Sequence, residues 1–247
     1  MSKRHVLFLT LLYWAISGNG KAFGQKKIID STQVNAITIN MANVYNKAIG
    51  QQSGLYNGPA YIPYKFRGKT NANFKDSTSF SNGIVNYDGV IYTNVPLFYD
   101  LNRQLLVSRL LNWVSAYSLL NDRVAEFDLF DHHFVRILAD DKNKDIVTGF
   151  YDELYRNKLQ LLVRRTKSIQ DELGSGKIEN VFISKNDHFL KKGNVYYNVN
   201  SQGKFFDALK DKKKELKQYL KDNKIKFGDN PDQAMVLLAG YYDHLTN

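Results

Sequence analysis

Ile84-Val85-Asn86-Tyr87-Asp88-Gly89-Val90-Ile91-Tyr92 is a β-hairpin written into the chain. Asp-Gly supplies the positive φ angles that a two-residue turn requires, and β-branched and aromatic residues flank it on both sides. Downstream, apolar runs recur at short intervals, over 95–101, 104–109, 113–119, 123–129, 134–138, 146–155 and 158–167. Asn102, Asn121-Asp122, Asp131, the 140–145 stretch and Arg156-Asn157 mark turns between them. Residues 105–120 also fit a helix, because Leu106, Leu110, Val114 and Tyr117 keep three-to-four spacing. Strands are preferred there, since Ser, Asn, Trp, Tyr and Val lower helix propensity and both flanks read as strands.

Farther along, Gly174-Ser175-Gly176 reads as a flexible turn. Three more strands are expected within 177–184 and 188–199, the last two joined at Lys192-Gly193-Asn194. The period then changes. Residues 203–223 place Phe206, Leu209, Leu216 and Leu220 on one face, with Lys213 interrupting the stripe, which predicts one amphipathic helix with a lysine-rich outer face. A final helix is signalled by Asp229-Asn230 as cap and Pro231 in the first turn, with Ala234, Leu237, Leu238, Tyr241 and Leu245 as its buried face.

Upstream of the hairpin, Val34, Ile37, Ile39, Met41, Val44, Tyr45 and Ala48 predict a helix over 32–49. A loop over 51–82 follows, whose Tyr56, Tyr61, Tyr64, Phe66, Phe74 and Phe80 should pack on the body. Together these elements give an α+β domain: an antiparallel β-meander forming a curved sheet, an N-terminal helix and a C-terminal helical pair. It is expected to span 25–247 as a single domain, β-rich over 83–199 and helical over 203–245. Whether the sheet covers its helices or encloses a groove is left open by composition.

The chain begins with Met1-Ser2-Lys3-Arg4-His5, then an uncharged, mostly apolar run over 6–16, then small residues up to Gly24. That run has the length of a signal-peptide core and falls short of the ~20 residues that cross a bilayer. Residues 1–24 are therefore expected to be a signal peptide, which places the mature protein outside the cytoplasm, in the periplasm or against the outer membrane, soluble after cleavage. The 247-residue chain contains no cysteine, so disulfides, thiolate metal sites and cysteine nucleophiles are excluded, and no Cys after the apolar run offers a lipid anchor.

Charge is uneven. The expected mature chain holds 31 basic against 24 acidic residues, and 204–227 alone holds nine lysines against four acids. Away from chromosomal DNA, the polyanions within reach are lipid head groups, lipopolysaccharide and acidic glycans. Lys210, Lys212, Lys213, Lys214, Lys217 and Lys221 are the candidate contacts. A solvated, lysine-rich helix face that serves only solubility is the plainer reading.

Other motifs carry less. Asp128, Asp131, His132 and His133 form the one histidine cluster; in a strand, Asp131 and His133 share a face and His132 takes the other, so a metal would need a further ligand. Asp141, Asn143, Asp145 and Asp152 fall on calcium-loop positions, but Ile146 stands where that loop demands Gly, so a hairpin turn is expected. The glycines around Ser175 lack phosphate-loop spacing, and no common hydrolase signature is present. Asp152 and Glu153 point to opposite faces and make no acid/base pair. No cofactor or metal is expected.

Leu55-Tyr56-Asn57-Gly58-Pro59-Ala60-Tyr61, the run from Asn86 to Asp100, Phe150-Tyr151-Asp152-Glu153-Leu154-Tyr155, Val195-Tyr196-Tyr197-Asn198-Val199 and Asp211-Lys212-Lys213-Lys214-Glu215-Leu216-Lys217-Gln218-Tyr219 resemble a group of exported Bacteroidota proteins without assigned function. Gln25, directly after the expected cleavage point, also looks like that group. The resemblance implies an envelope location and β-rich structure and carries over no catalytic residue. Three functional readings follow: a non-enzymatic binding or scaffolding protein of the envelope, acting on an envelope protein or anionic component; a carrier of a lipid or other apolar ligand between sheet and helices; and an envelope hydrolase using Asp128, Asp131, His132 and His133.

Overall fold

The computed structural model describes residues 39–41, 44, 45, 48, 54–65, 70–110, 115–174 and 177–246. All lie in one compact unit, Thr38–Asn247. The expected signal peptide and most of the expected 32–49 helix lie outside the described residues. Those of its residues that are described are helical, with Met41, Val44 and Tyr45 exposed, so the spacing there does not mark a buried stripe.

The strands are β1 (Ser81–Tyr87), β2 (Val90–Asp100), β3 (Leu105–Arg109), β4 (Ala116–Ser118), β5 (Val124–Leu129), β6 (His132–Ile137), β7 (Gly149–Arg156), β8 (Leu159–Gly174), β9 (Lys177–Lys192) and β10 (Val195–Asn198). They form one ten-stranded antiparallel sheet in the order β10-β9-β8-β7-β6-β5-β1-β2-β3-β4. The Asp-Gly turn is as expected: Asp88 and Gly89 have φ of 52° and 78°, and Tyr87 pairs with Val90. Leu105–Arg109 and Ala116–Ser118 are paired strands rather than parts of a helix.

The meander departs from sequence order once, where β5 pairs with β1 rather than β4. Residues 119–123 make that connection and contain a turn closed by Arg123 N–H to Leu120 O. A folded five-residue connector falls short of the roughly 19 Å that four flat interstrand spacings would require. Strands β1–β4 therefore curl, and Asn121 donates to Gln104 O across the bend. The curl wraps an aromatic core. Phe127 and Phe134 stack with centroids 4.6 Å apart, Tyr99 meets both edge-on at 5.4 Å, and Phe74 meets Phe134 edge-on at 5.1 Å. Each such pair adds about 0.5–1.5 kcal/mol beyond the area it buries.

The described part of the 51–82 loop packs on the body, with Tyr61 on Phe98, Tyr64 on Phe182 and Phe80 on Phe98, while Phe66 lies outside the described residues. Tyr61 and Tyr64 hydroxyls donate to the fully buried Asp100 carboxylate, so burial, reinforced by Asp100, pushes both phenols up.

Two expectations need correction in the second half. Instead of separate strands over 158–167 and 177–184, β8 and β9 run as one ribbon paired from Leu159↔Lys192 to Gly174↔Lys177. Strand β9 passes straight through Asn186-Asp187. The expected 203–223 helix is broken into α1 (Gln202–Ala208), a 3-10 turn (Lys210–Lys212) and α2 (Lys213–Asp222). A continuous helix would leave Lys213 in the middle of its buried stripe. The break at Leu209 (φ −115°, ψ 40°) turns Lys213 out to Asp207, 2.7 Å away.

Helix α3 (Pro231–Leu245) is capped by Asn230, whose Oδ1 accepts from Gln233 N–H. Its buried face is Ala234, Met235, Leu238, Ala239 and Tyr242, rotated from the expected one: Leu237 is exposed, and Tyr241 stacks on Tyr219 of α2 at 4.1 Å. The three helices lie on the sheet face that carries Leu159, Leu161 and Leu190, and Phe205, Leu209, Leu216, Met235 and Leu238 fill the space between. No helix among the described residues is long and apolar enough to cross a membrane.

Candidate binding site

The lysines proposed as contacts divide into two sets. Lys214, Lys217 and Lys221 recur at steps of three and four along α2, which puts them on one exposed stripe, and Lys210 is exposed in the 3-10 turn before that helix. Lys212 and Lys213 lie off it, half-buried and paired with Glu215 and Asp207 at 3.7 Å and 2.7 Å. Buried Leu216 and Leu220 anchor the opposite flank of α2 to the core and so fix the stripe outward.

At its C-terminal end the stripe opens into a cleft of about 400 Å³ lined by Gln202, Lys217, Leu220, Lys221, Lys224, Ile225 and Lys226. The local chain builds that wall through a helix-ending motif. Ile225 N–H bonds to Leu220 O and Lys224 N–H to Lys221 O, with Lys224 in the left-handed conformation at φ 52°. This is the Schellman arrangement, where glycine is the favoured residue. Here a lysine occupies it, and Lys217, Lys221, Lys224 and Lys226 line the cleft with Leu220 and Ile225, the Lys217 ammonium lying 5.8 Å from the Phe206 ring centroid. None of these four lysines forms an ion pair among the described residues, and no carboxylate lines the cleft. Lys224 and Lys226 were missed as contacts because they lie beyond the helix end, where periodicity stops carrying information. Their membership of the same basic run was the available signal.

The histidine cluster does not converge. His133 and Asp128 face each other on one side of the sheet, Nδ1 to Oδ1 2.6 Å, with Glu126 and Glu153 at 3.8 and 3.9 Å from His133 Nε2. His132 turns to the other side, its Nδ1 2.7 Å from Asp152 Oδ2. Asp131 sits at the hairpin tip between them. Among the described residues no group of three or more His, Cys, Asp or Glu is arranged to hold a metal. The 140–145 stretch is a turn in which the Asp140 carboxylate accepts from Lys142 N–H and Asn143, and these bonds draw its carboxyl below the usual range; Asp152 lies elsewhere, fully buried.

Instead, His132 ends an ionic chain that sequence reasoning missed. Asp152 Oδ2 accepts from Arg165 Nε at 2.7 Å, Arg165 Nη2 reaches Asp232 Oδ2 at 2.8 Å, and Asp232 Oδ1 lies 2.6 Å from His188 Nε2. Burial acts to raise the Asp232 carboxyl, but hydrogen bonds from His188 and Arg165 and the guanidinium charge hold it at about 2. Burial likewise opposes the Arg165 charge, and its two carboxylates more than restore it. The available signal was parity: Arg165 and Lys167 continue the inward positions of Leu159, Leu161 and Val163. The chain joins β6, β7, β8, β9 and α3 where the aromatic core meets the helix-covered core, and it reads as structural.

No known protein family, curated protein or solved structure matches the chain.

Proposed function

We propose that this is an exported, non-enzymatic binding protein of the cell envelope that docks on an anionic envelope surface through the lysines of α2 and its C-terminal cleft. The observation that carries the reading is the sorting of lysines: Lys212 and Lys213 face acids, whereas Lys217, Lys221, Lys224 and Lys226 line one cleft with no ion pair among the described residues. Export is supported by the leader-like residues 1–24 and by the resemblance of the chain to exported Bacteroidota proteins. The carrier reading draws no support from the space between sheet and helices, which core side chains occupy. The hydrolase reading draws none from Asp128, Asp131, His132 and His133, whose histidines turn to opposite faces.

The test is co-sedimentation of the chain from residue 25 onward with phosphatidylglycerol vesicles, phosphatidylcholine vesicles and lipopolysaccharide at rising salt. Each surface lysine contributes about 1 kcal/mol near an anionic surface. Replacing Lys217, Lys221 and Lys224 by Gln together should cut binding to the anionic vesicles by roughly two orders of magnitude and flatten its salt dependence. Replacing the paired Lys212 and Lys213 should change it little. Equal loss from both sets, or equal binding to phosphatidylcholine, would overturn the proposal.

A further inference from the structure

A second cleft, of about 520 Å³, opens at the other end of the molecule's chemistry. It is lined by Ser81, Asn82, Gly83, Ile84, Thr93, Asn94, Asp128, Leu129, Phe130, Asp131, His132 and His133. No lysine or arginine contributes. Its volume falls within the range of small-molecule sites.

Three features set this corner apart. The first is its backbone. Between Gly83 and Val85 the β1–β2 register shifts, and Asn94 on the opposing strand takes φ 55°. Next to it, the two-residue β5–β6 turn is Phe130-Asp131 with φ of 52° and 63°. That turn geometry favours Asn-Gly, and a phenylalanine in the left-handed region is costly. Bulges and strained residues of this kind re-aim side chains, and all three lie on the cleft wall.

The second is the set of unused polar groups. Among the described residues the side chains of Ser81, Asn82, Asn94 and Asp131 have no hydrogen-bond or ion-pair partner within the protein. Asn amides both donate and accept, and Asp131 accepts. The third is the organised centre: His133 is held by Asp128 at 2.6 Å, which fixes its ring orientation. Exposed Ile84 and half-buried Phe130 add apolar surface between these polar groups.

Amides, a hydroxyl, a free carboxylate and an oriented imidazole, spaced by apolar patches, with no lysine or arginine in the lining and one ammonium, that of Lys75, engaged by the Phe130 carbonyl at 3.2 Å, match a molecule carrying many hydroxyls that donate and accept at once. We infer that the cleft between the β1–β2 bulge and the β5–β6 turn binds a neutral saccharide. Asn82, Asn94 and Asp131 take its hydroxyls, and Ile84 and Phe130 face its C–H surface. Asp128 and Asp131 disfavour acidic sugars. This site is independent of the lysine cleft.

The test is NMR titration of the folded protein with cellobiose, maltose, chitobiose and, as the acidic counterpart, glucuronic acid. At least one neutral disaccharide should shift the side-chain amide resonances of Asn82 and Asn94 saturably, and glucuronic acid should bind more weakly. Asn94→Gly and Asp131→Gly keep the left-handed backbone and remove the polar group, so each should weaken binding about tenfold or more without lowering the melting temperature. Replacing Lys217 and Lys221 by Gln should leave the saccharide shifts unchanged. Absence of saturable shifts with every neutral disaccharide, stronger binding of glucuronic acid, or full affinity in Asn94→Gly would overturn the inference.

Discussion

Strands β1–β6 and strands β7–β10 solve the same burial problem in different ways. The first half curls and fills its concavity with Tyr and Phe, whereas the second is built around the long β8–β9 ribbon and is covered by α1, α2 and α3. The cost falls on different places. Of the non-glycine residues with positive φ among those described, Lys75, Asp76, Asp88, Asn94, Gln104, Phe130 and Asp131 belong to the first half, and Lys224 alone to the second. Tight curvature demands bulges and two-residue turns, and these demand left-handed backbone. A helical cover demands only an apolar stripe on each helix. Strain therefore gathers where the sheet closes on itself, and the one exception in the helical half stands beside the lysine cleft.

The two halves meet where His132 of β6 joins the chain of Asp152, Arg165, Asp232 and His188, so the strongest test of their coupling is to remove the charge at its centre. Arg165→Ala leaves the fully buried Asp152 without its guanidinium. Its expected cost is up to about 5 kcal/mol, a large part of the stability of an ordinary domain. Urea unfolding followed by circular dichroism reads it. Both halves should lose stability together, in one transition. Loss confined to hydrogen-exchange protection in α3 would show that the seam is an ornament of the helical layer.

Next in size, the cores themselves can be compared. Phe134 touches Phe127, Tyr99 and Phe74, so Phe134→Ala should cost about 4 kcal/mol, against about 3 kcal/mol for Leu238→Ala in α3. Chemical denaturation of both variants ranks them. A smaller cost for Phe134→Ala would mean that the curled half relaxes around the void, contrary to the picture of a closely interlocked aromatic cluster.

Much of this contrast was legible in the chain. Asp88-Gly89 and Lys192-Gly193-Asn194 specify turns through backbone chemistry that acts within a few residues, and Asn230-Pro231 specifies a helix start in the same way. The β1–β5 pairing was not legible, because it joins residues some forty positions apart and depends on curvature that only the assembled core imposes. The apolar run ends near Lys167, but Asp171, Glu172 and Gly174, which oppose strand formation locally, are held in β8 by pairing along the whole of β9. The helix over 203–223 is broken for the opposite reason, although Phe206, Leu209, Leu216 and Leu220 are all buried as expected. Its periodicity was correct, but the stripe also contained Lys213, and Asp207 offered the lysine a better partner than the core. The cleft lysines Lys217 and Lys221 were visible as helix spacing, and Lys224 and Lys226 were not, because a Schellman turn with lysine at its glycine position leaves no periodic trace.

Acid should expose the seam more gently than mutation. Asp232 titrates at about 2 in the folded protein against 3.8 for the free carboxyl, so the folded state favours its charged form. The resulting stabilisation is fully present above the unfolded value and is lost as pH falls from about 4 toward 2. The stability difference between the native protein and Asp232→Asn should therefore be constant from pH 7 to 5 and shrink steadily below 4, as read by urea unfolding at each pH. A difference that is flat down to pH 2 would place the His188 and Arg165 contacts outside the energetics of the fold.

The smallest expected effect concerns the lone strained residue of the helical half. Lys224 occupies the position after α2 where a side chain is strained and glycine is not, so Lys224→Gly should stabilise the protein by about 0.5–1 kcal/mol. Thermal unfolding measures this directly. The same substitution removes one of four ammonium groups from the cleft and should weaken binding to phosphatidylglycerol vesicles by roughly fivefold. Opposite signs in the two measurements would mean that the chain gives up local stability to hold a charge at that spot. A substitution that stabilises the fold and leaves vesicle binding intact would confine Lys224 to the helix end and return the docking surface to Lys217 and Lys221 alone.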